Sequence, residues 1–356
     1  GSNWLRLMID NNPQFAGPHP PHILTNWMPL VSKYGDLTIA INFHALIDHV
    51  CVWVEQNPVT WRNEEGDAIL FDRTNIYSRC RQHGKPPSLI AIFDSLMNVY
   101  AEANGRKKWI CKSMGYAKYH KDLFEYYGAR LRYVYLTRDP RDVAISFSNA
   151  PIGDSHFYSI VKQWRTLQEH CLHVLLEQPE IVHWITYEAL LDDKEAALKP
   201  LFVFLGAELE EGSLMSHLSL NAKAAAKQSR LWKNLARGDS FSRLQKQKFM
   251  NVLQKSDIVL IESLVHDTME HLKYKCLYVK DGQNGQEPLC FDAGQVAEYM
   301  RLNDEGTAQK EKDFAQGDPD DYQRRIGQAS LLKLADDPLE SLKFSLGNSD
   351  VLGSNE

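Results

Sequence analysis

The stretch YVYLTRDPRDVAISFSN, residues 133–149, constrains this chain more than any other. A β-rich run ends at Arg138, and Asp139 follows at the place of a helix N-cap. Pro140 takes the first helical position, where the N–H it lacks would have no intrahelical partner, and Asp142 completes a capping-box-like pair. The pattern predicts a strand, a tight turn and a helix. At the carboxyl end of a parallel strand, such a unit offers backbone N–H groups and a positive helix end to an anion. Arg138 adds a forked donor suited to phosphate oxygens, and Ser146, eight residues on, adds a hydroxyl. Together they describe a phosphate site. The alternative is an Arg138 that only pairs with an acidic neighbour at a strand end.

Two more short apolar runs, KKWICKS (107–113) and IVHWITYE (181–188), read as buried strands alongside RLRYVYLTR (130–138). Helical patterns lie near 36–56, 87–104, 116–127, 140–149, 155–177, 194–205 and 243–272. Residues 2–11 carry Trp4, Leu5, Met8 and Ile9 at helical spacing, and GPHPPH (17–22) is loop or extended chain. Strands alternating with helices of this length predict an α/β fold with a mostly parallel central sheet flanked by helices. Beyond about Tyr278 the composition turns polar and rich in Gly, Asp and Gln. This divides the chain into a domain over 1–278 and, over 279–356, a linker and largely disordered tail with a short helix near 293–302.

With 44% hydrophobic residues over 356 positions, the chain can bury a substantial core. A formal charge of -6 argues against a nucleic-acid partner, while leaving room for a local basic pocket. Cys51, Cys80, Cys111, Cys171, Cys276 and Cys290 include no C-x-x-C pair, so neither a metal site nor a disulfide framework is signalled. Free thiols suit a reducing compartment, which makes a cytoplasmic location the expectation, with an upstream signal or anchor left open. No apolar run reaches the length of about 18 residues that a membrane segment needs.

Arg138, Asp139, Pro140, Arg141, Asp142 and Ser146 resemble the pattern Arg-(Asn/Asp)-Pro-(Arg/Lys)-Asp-x-x-x-Ser of sulfotransferases that use 3′-phosphoadenylyl sulfate. The resemblance covers roughly residues 1–275 and implies a three-layer, P-loop-like fold. In that family the Arg and the Ser bind the 3′-phosphate of the cofactor, which implies those roles for Arg138 and Ser146. TYEALLDD (186–193) is similar to the family's Tyr-Glu-(Asp)-Leu segment, whose Tyr lies by the adenine, here Tyr187. KQSRLWKNLARGD (227–239) resembles a degenerate form of the basic loop that closes over the 3′-phosphate, with Lys227, Arg230 and Trp232 as candidates. Taken alone, Trp232 is equally a core or lid tryptophan, and Lys227 and Arg230 a solvated helix face.

GSNWLRLM (1–8) resembles, from its glycine onward, the family's 5′-phosphosulfate loop, which makes Gly1, Ser2, Asn3 and Trp4 cofactor-binding candidates. Glycine lets the backbone approach a phosphate, and the helix start that follows favours an anion. In the family a strand and a basic residue precede this loop. The resemblance therefore implies a fragment whose sheet lacks its first strand, beside YVYLTR and WICKS. The other reading is a terminal expression remnant that matches by accident.

WICKSMGY (109–116) corresponds to the family strand whose lysine lies near the transferred sulfuryl group, which gives Lys112 that contact. The implied reaction carries a sulfuryl group from 3′-phosphoadenylyl sulfate to a hydroxyl or amine of a small-molecule or carbohydrate acceptor, without a metal. A base must take the acceptor proton. The family positions for that base hold Met114 and Cys111 here. His44 and Asp48, four apart and so on one helix face, and His19 or His22 in GPHPPH are the remaining candidates, with His44 the first choice. Trp27, Trp53 and Trp61 either line an acceptor pocket or belong to the core. No G-x-x-x-x-G-K-(S/T) loop occurs, which counts against a nucleotide kinase. A small-molecule kinase relative and a catalytically inactive nucleotide-binding homologue are the competing readings.

Overall fold

The computed structural model describes residues 1–82, 84–207, 243–279 and 286–340; Lys227, Arg230 and Trp232 lie outside the described residues. The chain divides into two compact units. A first unit takes described residues of 6–128 and 320–340, and a second takes residues 1–5 with described residues of 129–319.

The chain opens with α1 (Ser2–Asp10), whose first turn belongs to the second unit. Then come β1 (Phe15–Ala16), α2 (Ile23–Trp27), α3 (Ala40–Glu55), α4 (Arg73–Gln82), α5 (Leu89–Ala103), β2 (Lys108–Trp109) and α6 (His120–Tyr127), all of the first unit. Its core is built on α3, through Phe43, Leu46, Ile47 and Val50, and on α5, through Ile92, Phe93, Leu96 and Met97, all buried. At about 1.5–3 kcal/mol per large apolar side chain, these rows are the main force that closes the unit. Ser88 caps α5, its hydroxyl accepting from the Ala91 N–H at 3.2 Å. Arg73 ties α4 to α3, donating to Asp48 at 3.0 Å and to Glu55 at 2.6 Å.

The second unit contains β3 (Tyr133–Thr137), α7 (Pro140–Ser148), α8 (Phe157–Glu177), β4 (Val182–Thr186), α9 (Tyr187–Asp192), α10 (Lys194–Phe204), α11 (Phe249–Val252), α12 (Lys255–His271) and α13 (Ala293–Gly317). The helix expected near 293–302 thus runs on to Gly317, and α14 (Pro319–Ser330) returns the chain to the first unit.

The expected α/β architecture with a large central sheet is not what forms. The chain is predominantly helical, and its described strands make two small parallel pairs, β1 with β2 and β3 with β4. Lys108–Trp109, where WICKS begins, pairs with Phe15–Ala16, and Tyr133–Thr137 pairs with Val182–Thr186. These runs belong to separate sheets, so no strand position beside both exists among the described residues. The physical reason is that a short apolar run reports burial, not its partner. A central parallel strand is buried on both faces, whereas neither residue of β2 is fully buried and β3 mixes half-buried with buried positions. Trp109 instead donates its indole N–H to Asn98 of α5 at 3.1 Å.

Candidate functional site

In the second unit the register of β3 and β4 builds the site. Thr137 pairs with Thr186, so the next residues, Arg138 and Tyr187, leave adjacent parallel strands side by side. The Arg138 guanidinium stacks 4.6 Å from the Tyr187 ring centre. Thr186 caps α9 by accepting from the Ala189 N–H at 3.1 Å, which sets Tyr187 at the first helical position. A Cβ on Gly1 would run into the Tyr187 ring, so only glycine allows α1 to start this close. The Gly1 carbonyl accepts the Leu5 N–H at 3.0 Å. Gly1, Tyr187, Arg138 and Ser146 are therefore brought into one neighbourhood.

Arg138 donates to the Ser146 hydroxyl at 3.1 Å and to the Gln245 carbonyl at 2.8 Å, while Asp142 lies 3.9 Å away. It is more than an arginine paired to an acidic neighbour. Lys248 also donates to the Ser146 oxygen, at 3.3 Å. A serine oxygen has two acceptor sites and one proton. With both acceptor sites taken by cations, that proton remains to be given to an anion. Arg138 Nε is buried and lacks a hydrogen-bond partner among the described residues, a further donor for an incoming oxygen. The Lys248 ammonium is pushed below its usual range by burial and then by Arg138, as two cations sharing a site should be. Burial raises the Asp142 carboxyl, against the Phe249 N–H and Arg138, which favour its ionised form. The set of two cations, a hydroxyl and an aromatic ring could suit a phosphate beside a base. Sequence reasoning missed Lys248, which sits over a hundred residues from Ser146 and whose only signal was a basic run, KQK.

The rest of the motif holds this corner rigid. Asp139 caps α7, accepting from the Arg141 N–H at 3.0 Å, and Pro140 follows at the first position. The expected capping-box role of Asp142 is not found. Its carboxylate reaches away to accept the Phe249 N–H at 3.0 Å, because α11 packs on α7 and its start also needs an acceptor. Arg141 is buried between Asp139, at 2.7 Å, and Glu262, at 2.6 Å. Glu262 in turn accepts the N–H groups of Leu277, Tyr278 and Val279. Glu188 accepts the Asp139 N–H at 3.0 Å and the Tyr274 hydroxyl at 3.0 Å, locking β3 to the start of α9.

In the first unit Lys112 follows β2, half-buried, with its ammonium lowered to about 8 by burial and by Arg6. Burial drives the Cys111 thiol the other way, up to about 12, so it stays neutral and is no base. Met114 is exposed. The GPHPPH loop is held next to this lysine. Leu24, two residues after His22, donates its N–H to the hydroxyl of Tyr116, four residues after Lys112, at 3.3 Å. Three successive loop carbonyls accept from buried side chains: His19 from the Trp61 indole at 2.9 Å, Pro20 from Asn57 at 3.2 Å, and Pro21 from the Trp53 indole at 2.6 Å. Arg6 donates to the Gly17 carbonyl at 2.5 Å, and Asp10 accepts the Gly17 N–H at 2.7 Å. Trp53 and Trp61 are thus core residues that position a loop, and Trp27 is wholly buried.

His22 closes the loop in a left-handed conformation, φ 52° and ψ 26°, unusual for a side chain of this size. Burial and the neighbouring Lys112 and Arg325 lower His22 to about 4, and burial, Arg6, His22 and Lys112 hold His19 well below its usual range. Both rings are neutral at pH 7. His44 sits elsewhere: it stacks on Tyr77 at 4.1 Å, and its partner on the helix face, Asp48, is held by Arg73. Among the described residues no His, Cys, Asp and Glu group could hold a metal, and no helix is long and apolar enough to cross a membrane.

Residues 1–211 match the family described as Sulfotransferase family. No curated protein matches the chain. Among solved structures, the sulfotransferase domain from the curacin biosynthetic pathway aligns at 18% identity and a TM-score of 0.50, over 78% of this chain and 95% of that one. The sulfotransferase domain from the Synechococcus PCC 7002 olefin synthase aligns at 19% identity over 68% of this chain and 91% of that one, with a TM-score of 0.38.

Proposed function

Because the chain belongs to the sulfotransferase family, we propose that it transfers the sulfuryl group of 3′-phosphoadenylyl sulfate to a hydroxyl or amine of a small-molecule or carbohydrate acceptor. The observation that carries this reading is the Ser146 hydroxyl, engaged by both Arg138 and Lys248 and left with a proton to donate. These three residues would hold the 3′-phosphate, Tyr187 would stack by the adenine, and Gly1, Ser2, Asn3 and Trp4, at the start of α1, would meet the 5′ side.

When bound, the donor supplies the sulfuryl group: its S–O bond to phosphate breaks, a bond from sulfur to the acceptor forms, and adenosine 3′,5′-bisphosphate leaves. Lys112 would neutralise charge on the sulfuryl and leaving oxygens, the larger part of such catalysis being electrostatic. The acceptor proton would go to His22, neutral and fixed beside Lys112, in place of His44.

Arg138→Ala removes a charge-assisted pair worth about 1.5–3 kcal/mol. The expected outcome is a 10- to 100-fold loss of affinity for adenosine 3′,5′-bisphosphate by calorimetry, roughly as that energy converts. Unchanged affinity would sink the phosphate assignment. Donor labelled at sulfur then separates an enzyme from a homologue that only binds: binding without any release of label would overturn the catalytic half.

A further inference from the structure

We propose that Lys310 and Asn303 of α13 are positioning residues for the phosphate corner: they hold the end of α7 and the loop beyond it, and so set where Ser146 stands. The inference rests on reading that corner as a 3′-phosphate site, and it gives a part in it to a helix beyond the residues that match the family.

Ser146 lies in the last turn of α7, which ends at Ser148. Carbonyls of a last turn have no partner further along the helix, so such a turn keeps its place through whatever caps it. Asp139 and Arg141 fix the first turn of α7, more than a turn away from Ser146. At the other end, the Ile145 carbonyl is served locally by Ser148 and Asn149. Lys310 comes from a distance: it donates to the Phe147 carbonyl at 3.0 Å, and also to the carbonyls of Asp154 at 2.7 Å and Gly153 at 3.5 Å. An ammonium donates in three directions and accepts in none, so a lysine set among three carbonyls pins the residue after Ser146 to the loop. A cation also suits the negative end of a helix.

One face of α13 does the holding. Asn303, Gly306 and Lys310 follow one another at spacings of three and four, which puts them on the same side of the helix. Asn303 is buried, and its side chain serves the loop through both oxygen and nitrogen. The oxygen accepts the N–H groups of Ser155 at 3.0 Å and His156 at 3.1 Å, and the nitrogen donates to Asp154 at 3.0 Å. Its main-chain carbonyl accepts the Ser155 hydroxyl at 3.0 Å. A Cβ on Gly306 would run into the Ser155 side chain, so glycine lets the helix lie this close. Tyr299, one turn before Asn303, stacks on His156 at 5.0 Å, and His156 caps α8 by accepting the Tyr158 N–H at 3.2 Å. The contacts of α13 thus run from Phe147 to His156, from the end of α7 to the start of α8.

Calorimetry with two nucleotides tests this in the full chain. Adenosine 3′,5′-bisphosphate carries the phosphate that Ser146 would meet, and adenosine 5′-phosphate lacks it. Lys310→Met keeps the stem of the side chain and loses its donors. It is expected to weaken the bisphosphate about three- to tenfold, the scale of one net hydrogen bond, and to leave adenosine 5′-phosphate unchanged. Lys310→Arg, which still donates, is expected to recover part of the loss. Because the effect runs through Ser146, Lys310→Met is expected to add nothing in a Ser146→Ala background. Unchanged bisphosphate affinity in Lys310→Met, an equal loss for both nucleotides, or a loss that adds in full to that of Ser146→Ala overturns the proposal, since a merely structural contact gives one of these. If Lys310→Met does not fold, Gly306→Ala, which lifts α13 from Ser155, is judged by the same comparison. A Ser146→Ala change that leaves the bisphosphate unaffected sinks the phosphate reading itself, and the role of α13 with it. A Ser146 effect with a silent Lys310 sinks the role of α13 alone.

Discussion

Lys112→Ala is expected to lower kcat for sulfuryl transfer by roughly a hundred- to a thousandfold, the usual loss when one donor to a developing charge is removed from a site shielded from water. Only the charged ammonium can do this work, and burial and Arg6 bring it down to about 8 in the free protein. As pH rises through that value the charged fraction falls about tenfold per unit, so kcat/KM is expected to decline above roughly pH 8. A bound oxyanion favours the ammonium, which shifts the alkaline limb of kcat to higher pH than that of kcat/KM. On the acid side His22 is already neutral above about 4, so no loss is expected between pH 5 and 7. Arginine stays charged throughout, and Lys112→Arg should therefore abolish the alkaline limb whatever rate it retains. A profile in Lys112→Arg that still falls at the same pH would assign the limb to another group, and the lysine role would go with it.

The second large effect is on stability. Arg141→Ala would leave Asp139 and Glu262 buried without their shared cation, Glu262 being fully inaccessible and Arg141 4% exposed. Breaking a buried pair from one side costs about 3–5 kcal/mol, because a charge is left behind uncompensated. The expected reading is a lower denaturant midpoint at unchanged slope. Arg141→Ala combined with Glu262→Ala should destabilise by less than the sum of the two, since each single change strands the other's charge. A cost below about 1 kcal/mol for Arg141→Ala would show that the three N–H donors from Leu277, Tyr278 and Val279 carry Glu262 alone.

Arg141 and Arg138 also show where reading a sequence stops. They sit three residues apart in one motif, yet Arg141 is a buried clamp between Asp139 and Glu262 while Arg138 stacks on Tyr187 and donates to Ser146; the motif suggested a role for Arg138 and none for Arg141. Asp142 was legible as a helix-start residue, but α11 claims its carboxylate. The histidines were legible as candidates. Which of them neighbours Lys112 was not, because the choice between His44 on α3 and His22 in the loop depends on Tyr116, Trp53 and Trp61.

What the sequence by itself determined was the local structure: the strand, turn and helix around Arg138, its cap at Asp139 and the helices at their apolar spacings. Those follow from dihedral preference, capping and 3.6-residue periodicity, which act over a few neighbours. Only the tertiary structure decided that the runs 107–113 and 130–138 lie in different small sheets, that Lys248 joins Ser146, and that Gln328 of α14 meets the Trp53 carbonyl of α3. Strand partners and contacts between residues a hundred or more positions apart are set by which faces bury each other, and an apolar run of five residues carries the tendency to be buried without the address of its neighbour.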